Sequence, residues 1–311
     1  DSYYVGQNPP IGAVIRYTLA EVPMSIKQKR KKLEKELIEK GTLKGYPPLD
    51  SLMMEDEEIL PFYFISIYDS NNQLIKKENI SASQGINSYL WDGKISPLTS
   101  LQGTAGGRRR GGGIPVLPGK YSVDISFFDG TTSKIVTNRE AFEIKNLGWA
   151  VMPAKDIVGL KKFGAEVHNV SKLVNGTTEY LNHLQNKMKL LKSAALLIPE
   201  VDINDLGPLN QIEYKINKIN IEINGNSSLS GRQFETLPGI RQRLSTAMWS
   251  IYGHSSDIPT MQMKSLDLAK NQFKAVYNQI VNIDKELLLI QDKFRSIGMP
   301  SIAPELPKLD F

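Results

Sequence analysis

The sequence predicts an α+β multidomain protein: an antiparallel β-sandwich over residues 1–148, then an all-α, long four-helix up-down bundle over 149–311. Three observations predict it. Short runs that alternate apolar and polar residues fill the first half. Two apolar stripes at three-four spacing, each far longer than an ordinary globular helix, fill the second. The 311 residues have the length of about two domains.

Ala13, Ile15, Tyr17 and Leu19 alternate with Val14, Arg16 and Thr18, and Tyr121, Val123, Ile125 and Phe127 repeat the pattern. Successive strand side chains point to opposite faces, so a period of two marks strands buried on one side. Phe62, Phe64 and Ile67 lie in a further β-rich run. Asp69, Ser70, Asn71 and Asn72 then supply a hairpin turn between 62–68 and 73–78. Pro118 and Gly119 form a turn that feeds the Tyr121 strand.

Two segments interrupt the strands. The first is a helical insertion, 24–59, whose residues 25–40 form a short charged helix stopped at Gly41. It carries Lys29, Arg30 and Lys31, and reads either as a solvated helix lying on the sandwich or as a contact for a polyanion or partner. The acidic run Glu55, Asp56, Glu57 and Glu58 follows in a loop, where it balances the basic helix. The second is a Gly/Arg loop, 96–119, with Arg108, Arg109 and Arg110 at its tip. No aromatics interleave these arginines, so a mobile glycine-rich loop, open to ordering by a partner, fits better than a nucleic-acid contact.

Four helical stripes follow. The first runs Leu160, Phe163, Val167, Val170, Val174, Thr177, Leu181, Leu184, Met188, Leu191, Ala195 and Ile198. The last runs from Leu266 through Phe273, Ile280 and Leu287 to Ile297 in the same spacing. Two shorter stripes lie between them: Leu209, Ile212, Ile216, Ile219, Ile223, and then Ile240, Leu244, Ala247, Ile251. Breakers at 199–208, 224–228 and 253–259 separate them, and Thr260 is placed to cap the last helix. Short connections favour antiparallel neighbours, hence four helices up and down. The long outer pair is expected to overhang the short inner pair as a two-helix stalk.

Composition narrows the chemistry. Absence of cysteine excludes disulfides, thiol nucleophiles and Cys-ligated zinc. A net charge of +5 permits an anionic surface without demanding nucleic acid. No apolar run reaches the roughly 18 residues of a membrane span. His168 and His183 stand too far apart to share a metal, and His254 has only Asp257 near it in sequence. With no nucleophile–base pair and no phosphate-binding or zinc-protease motif, no catalytic residue, metal site or cofactor is expected. The start at Asp1, without an initiator Met, suggests a processed chain or a fragment.

The run from Tyr4 to Tyr17, YVGQNPPIGAVIRY, resembles the NPPxGAxxxY segment of bacterial, Bacteroidetes-type sortilin-like proteins with BNR-repeat propellers. The basic helix before Tyr46-Pro47-Pro48, then Leu90-Trp91-Asp92, and Gly113 to Tyr121 (GIPVLPGKY) resemble further elements of that family. Asn138, Arg139 and Glu140 stand where the family often has Asp-Pro-Arg, and Pro259-Thr260 with Gln262 is similar to the start of its final helix. The resemblance implies an Ig-like (FlgD-type) sandwich and helical bundle following a propeller. It implies a non-catalytic interaction and scaffolding module, secreted or at the cell surface or outer membrane. The implied partners are the N-terminal propeller of the same polypeptide and other envelope proteins, with a glycan as an alternative ligand. Family members are often called glycosyl hydrolases, but that label belongs to the propeller and brings no catalytic residue here. The alternative is an accessory carbohydrate-binding region, for which Tyr3, Tyr4, Tyr46 and Tyr89 are the aromatic candidates.

Overall fold

The computed structural model describes residues 6, 12–42, 46–95, 114–145, 154–253 and 256–302, with backbone alone at 114 and 250–253. It is a mixed α/β chain with antiparallel sheets and long helices. Two compact units divide it, with the strands in the first and the helices from Ile157 onward in the second.

In the strand unit, β1 (Ala13–Leu19) pairs antiparallel with β4 (Gly85–Trp91). A second sheet runs β3 (Leu74–Ile80), β2 (Phe62–Tyr68), β7 (Gly119–Phe128) and β8 (Ser133–Ile135), with β9 (Glu140–Ile144) also on β7. The alternation read from sequence sets which side chains face inward. Tyr17 and Leu19 of the first sheet and Ile65, Ile67, Tyr121, Val123 and Ile125 of the second share one buried cluster with Trp91. Trp91 is fully buried, its ring edge-on to Tyr121 and Phe142 at 5.8 and 6.0 Å. Gly12 is required beside it, because a Cβ there would stand 2.2 Å from the Trp91 carbonyl oxygen. The expected hairpin forms as read, with the Asp69 carboxylate accepting from the Asn71 and Gln73 amides.

The insertion holds two helices rather than one. The first, α1 (Ile26–Glu39), opens with a capping box between Ser25 and Gln28. The second, α2 (Leu49–Glu57), takes up Glu55, Asp56 and Glu57, which sequence reasoning placed in a loop. The tip of the expected 96–119 loop, including Arg108, Arg109 and Arg110, lies outside the described residues. Its end does not stay a loop, since β6 (Ile114–Pro115) pairs with β5 (Lys94–Ile95) and β7 begins at Gly119.

In the helical unit, α3 (Ile157–Leu197) and α7 (Thr260–Ser296) are long, at 41 and 37 residues. Between them come α4 (Leu206–Asn224), the single turn α5 (Ser227–Ser230) and α6 (Ile240–Gly253). Their stripes merge into one core running from Phe163 to Phe294. Two details differ from the sequence reading. Thr178 is buried where Thr177 was expected, its hydroxyl donating to the Val174 carbonyl, and His168 and Ser171 of α3 are buried polar residues too. Thr260 begins α7 without capping it, the N-cap being Pro259.

The larger difference is the path of the chain. Lys270 pairs with Glu166 and Tyr180 bonds to Asp284, two contacts with the same separation of 104 residues, so α3 and α7 run parallel. Along α4, Asp205 meets Lys293 and Lys215 meets Glu286, so α4 runs against α7. Further down α7, Ser265 and Gln272 both bond to Arg243 of α6. Thus α4 and α6 follow one another in a single descending column, and the helices run up, down and up in three columns. Four side-by-side antiparallel helices with an overhanging two-helix stalk are not what forms. Together α4 and α6 supply 33 residues of partner, about 50 Å of helix against the ~60 Å reach of α3, so most of the seam is covered.

The join between α4 and α6 explains this. Gly239 lies against the end of α4; a Cβ on it would stand 2.5 Å from the Gly225 nitrogen and 2.9 Å from the Ile223 oxygen. The chain leaves the column at Gly225, with φ of 84°, makes an excursion over 226–238, and re-enters beside its own exit. A connection that returns to its starting point lets the next helix continue in the same direction.

Candidate interaction surfaces

The basic residues singled out in sequence do not form one patch. Consecutive helical residues turn by about 100°. Arg30 faces α2, where its guanidinium donates to both oxygens of Glu55 and to Glu34. Those bonds raise the Arg30 pKa further and hold the Glu55 carboxyl below its ordinary range. Arg30 is therefore the tether between the two helices of the arm, a role that removes it from a polyanion contact. Lys29 and Lys31 are exposed on different sides.

Lys29 lines an open cleft of about 530 Å³ between the arm and the β7–β8 turn, with Met24, Ile26, Ile59 and Phe127 as its apolar wall. Glu57, Glu58 and Asp129 also line it and outnumber the lysine, so the cleft does not favour an anion. Two of these carboxylates have structural partners. Glu58 accepts from the Ile26 amide at 2.8 and 3.0 Å, occupying the α1 N-terminus. Asp129 accepts from the amides and hydroxyls of Thr132 and Thr131, which hold its carboxyl far below the usual range.

What the arm does expose is apolar. Neither helix has a buried residue, and Leu49 and Met54 are 71 and 63% exposed, with Leu33, Ile38 and Met53 also open. The arm's sequence was read for charge, and its spaced Leu, Ile and Met were the signal passed over.

Of the aromatic candidates, Tyr46 is 99% exposed. Tyr89 is half-buried and donates to Glu78 at 2.6 Å; burial, then that carboxylate, push its pKa up. Tyr3, Tyr4 and His254 lie outside the described residues. Arg139 clamps the outer face of the larger sheet, bonding to buried Asp124 and stacking 3.8 Å over Tyr68. Among the described residues no three His, Asp or Glu gather as metal ligands, and no helix is long and apolar enough to cross a membrane.

Comparison with family models, with curated protein sequences and with solved structures finds no match to the chain.

Proposed function

We propose that this chain is a non-catalytic interaction and scaffolding module of a larger, extracytoplasmic sortilin-like propeller protein, and that its α1–α2 arm is a partner contact. The observation that carries the reading is the arm itself. It is two helices held to each other by the Arg30–Glu55 pair, with exposed Leu, Ile and Met that the described residues leave uncovered. Such a face, rimmed by lysines, suits docking of a protein better than solvent. The propeller, the envelope setting and the surface location rest on the sequence resemblance.

The finer architecture belongs to the same proposal. The strand unit is an Ig-like sandwich, supported by two sheets contributing to one core and by the Tyr121 hydroxyl, which donates at 2.6 Å to the Leu117 carbonyl four residues upstream. The helical unit is a helical bundle, supported by the single core that its helices share. A carbohydrate-binding accessory role is the second reading, favoured by the exposed Tyr46 ring and weakened by the engaged Tyr89.

The test is lysine-reactive cross-linking of the protein in intact cells, followed by peptide mapping. Cross-links from Lys29, Lys31 or Lys32 to other polypeptides support the arm as a contact. Cross-links from these lysines that stay within the chain contradict it.

A further inference from the structure

A groove of about 510 Å³ lies between α6 and α7. Pro238, Arg243 and Thr246 form one wall, and Met261, Lys264 and Leu268 the other. The walls are fixed to each other: the Ser265 hydroxyl donates to the Arg243 carbonyl at 2.9 Å, and Arg243 Nε donates to Gln272 at 3.0 Å. The groove is mainly apolar, and Met261 and Leu268 are 67 and 48% exposed.

The charges in it are unbalanced. Arg243 is half-buried, and its bond to Gln272 uses Nε, leaving the two terminal guanidinium nitrogens without a protein partner among the described residues. Lys264 is exposed and likewise unpaired. Among the described residues no carboxylate lines the groove. The nearest acid in sequence, Asp267, stands three residues from Lys264 along α7, yet the two form no ion pair among the described residues. Four other cations of this unit are paired across helices: Lys192 with Glu213, Lys215 with Glu286, Lys270 with Glu166, Lys293 with Asp205. An arginine oriented by a glutamine and left open beside apolar side chains presents a planar fork that matches a carboxylate.

The excursion over 226–238 is the device that builds this edge. It ends at Pro238 in the groove wall, and its neighbour Leu237 is 84% exposed. The same excursion carries exposed Phe234.

We infer that the α6–α7 groove binds an acidic peptide segment of a partner protein, with an Asp or Glu carboxylate on Arg243 and Lys264 and a flanking apolar side chain against Met261 and Leu268. The site lies in a different unit from the α1–α2 arm, so the two readings stand or fall separately.

The experiment selects random heptapeptides displayed on phage against the full 311-residue chain. Selected peptides carry Asp or Glu beside Leu, Met or Phe. A synthetic selected peptide binds about tenfold more weakly to Arg243→Gln and to Lys264→Gln, as expected for losing one charge-assisted contact. Its Glu→Gln or Asp→Gln version loses affinity for the native chain to a similar degree. Lys264 is exposed, so its variant keeps the native melting curve and remains informative if Arg243→Gln does not fold. The inference is overturned if no peptide is selected, if selected peptides lack acidic residues, or if both variants retain them fully. Binding of phosphatidylglycerol vesicles in place of peptides overturns it as well.

Discussion

Replacing Gly239 by Ala tests the path of the chain through the helical unit. The added Cβ would stand 2.5 Å from the Gly225 nitrogen, 2.9 Å from the Asn224 carbonyl carbon and 2.9 Å from the Ile223 oxygen. All three are backbone atoms, so no side chain can rotate away. Overpacking of this kind costs about 1–3 kcal/mol. Alanine also restricts the unfolded chain, which offsets roughly 0.4–1 kcal/mol. The net loss is about 1–2 kcal/mol, and with a urea m-value of ~2 kcal/mol per M the midpoint falls by about 0.5–1 M. The assay is urea unfolding followed by far-UV circular dichroism. Gly176→Ala is the matched control: it lies within α3 with nothing near its would-be Cβ, and gains roughly 0.5–1 kcal/mol from helix propensity. An unchanged or raised midpoint for Gly239→Ala would mean that α4 and α6 do not meet end to end.

Three further outcomes are expected. The chain has no cysteine, so spin labels at Leu173→Cys and Tyr277→Cys report cleanly, and parallel α3 and α7 place them within ~20 Å, about two helix diameters. A Leu173→Cys, Met261→Cys pair should lie farther apart, separated by ~24 Å along the axis; equal or inverted distances would sink the parallel arrangement. Tyr121→Phe removes the donor to the half-buried Leu117 carbonyl and should lower stability by about 1 kcal/mol, read by the same unfolding assay. Burial, then the bond to Asp284, push Tyr180 up to about 12 from its ordinary 10.0. A raised folded-state pKa means its contribution is whole below pH 10 and is lost as pH rises toward 12, so Tyr180→Phe should flatten alkaline destabilisation across that window.

Which residues are buried was largely readable, because burial follows side-chain periodicity. Leu209, Ile212, Ile216, Ile219 and Ile223 all face the core, and so do Tyr121, Val123 and Ile125. Which elements are neighbours was not readable, because a stripe specifies a face and not its partner. The 225–239 connection is long enough to turn the chain back or to let it continue. Only the close approach of two glycine backbones decides, and that contact has no side-chain signature. The Arg139 clamp on Asp124 was hidden for a related reason: β7 is buried on both faces, so a charge in its sequence looks like a solvent-facing position.

The candidate surfaces were less legible than the core. Arg30 looked like part of a basic patch, but its two carboxylate partners stand 4 and 25 residues away, one of them on a helix that sequence reasoning did not place. Arg243 gave no signal, since its meaning comes from Gln272 holding it and from carboxylates that are not beside it.

The most direct test of the functional account is the mass of the native polypeptide in its source cell, with peptide mapping upstream of Asp1. The account predicts a chain much larger than 34.8 kDa, carrying upstream peptides of a repeat propeller. A native chain of 34.8 kDa that begins at Asp1 would contradict it.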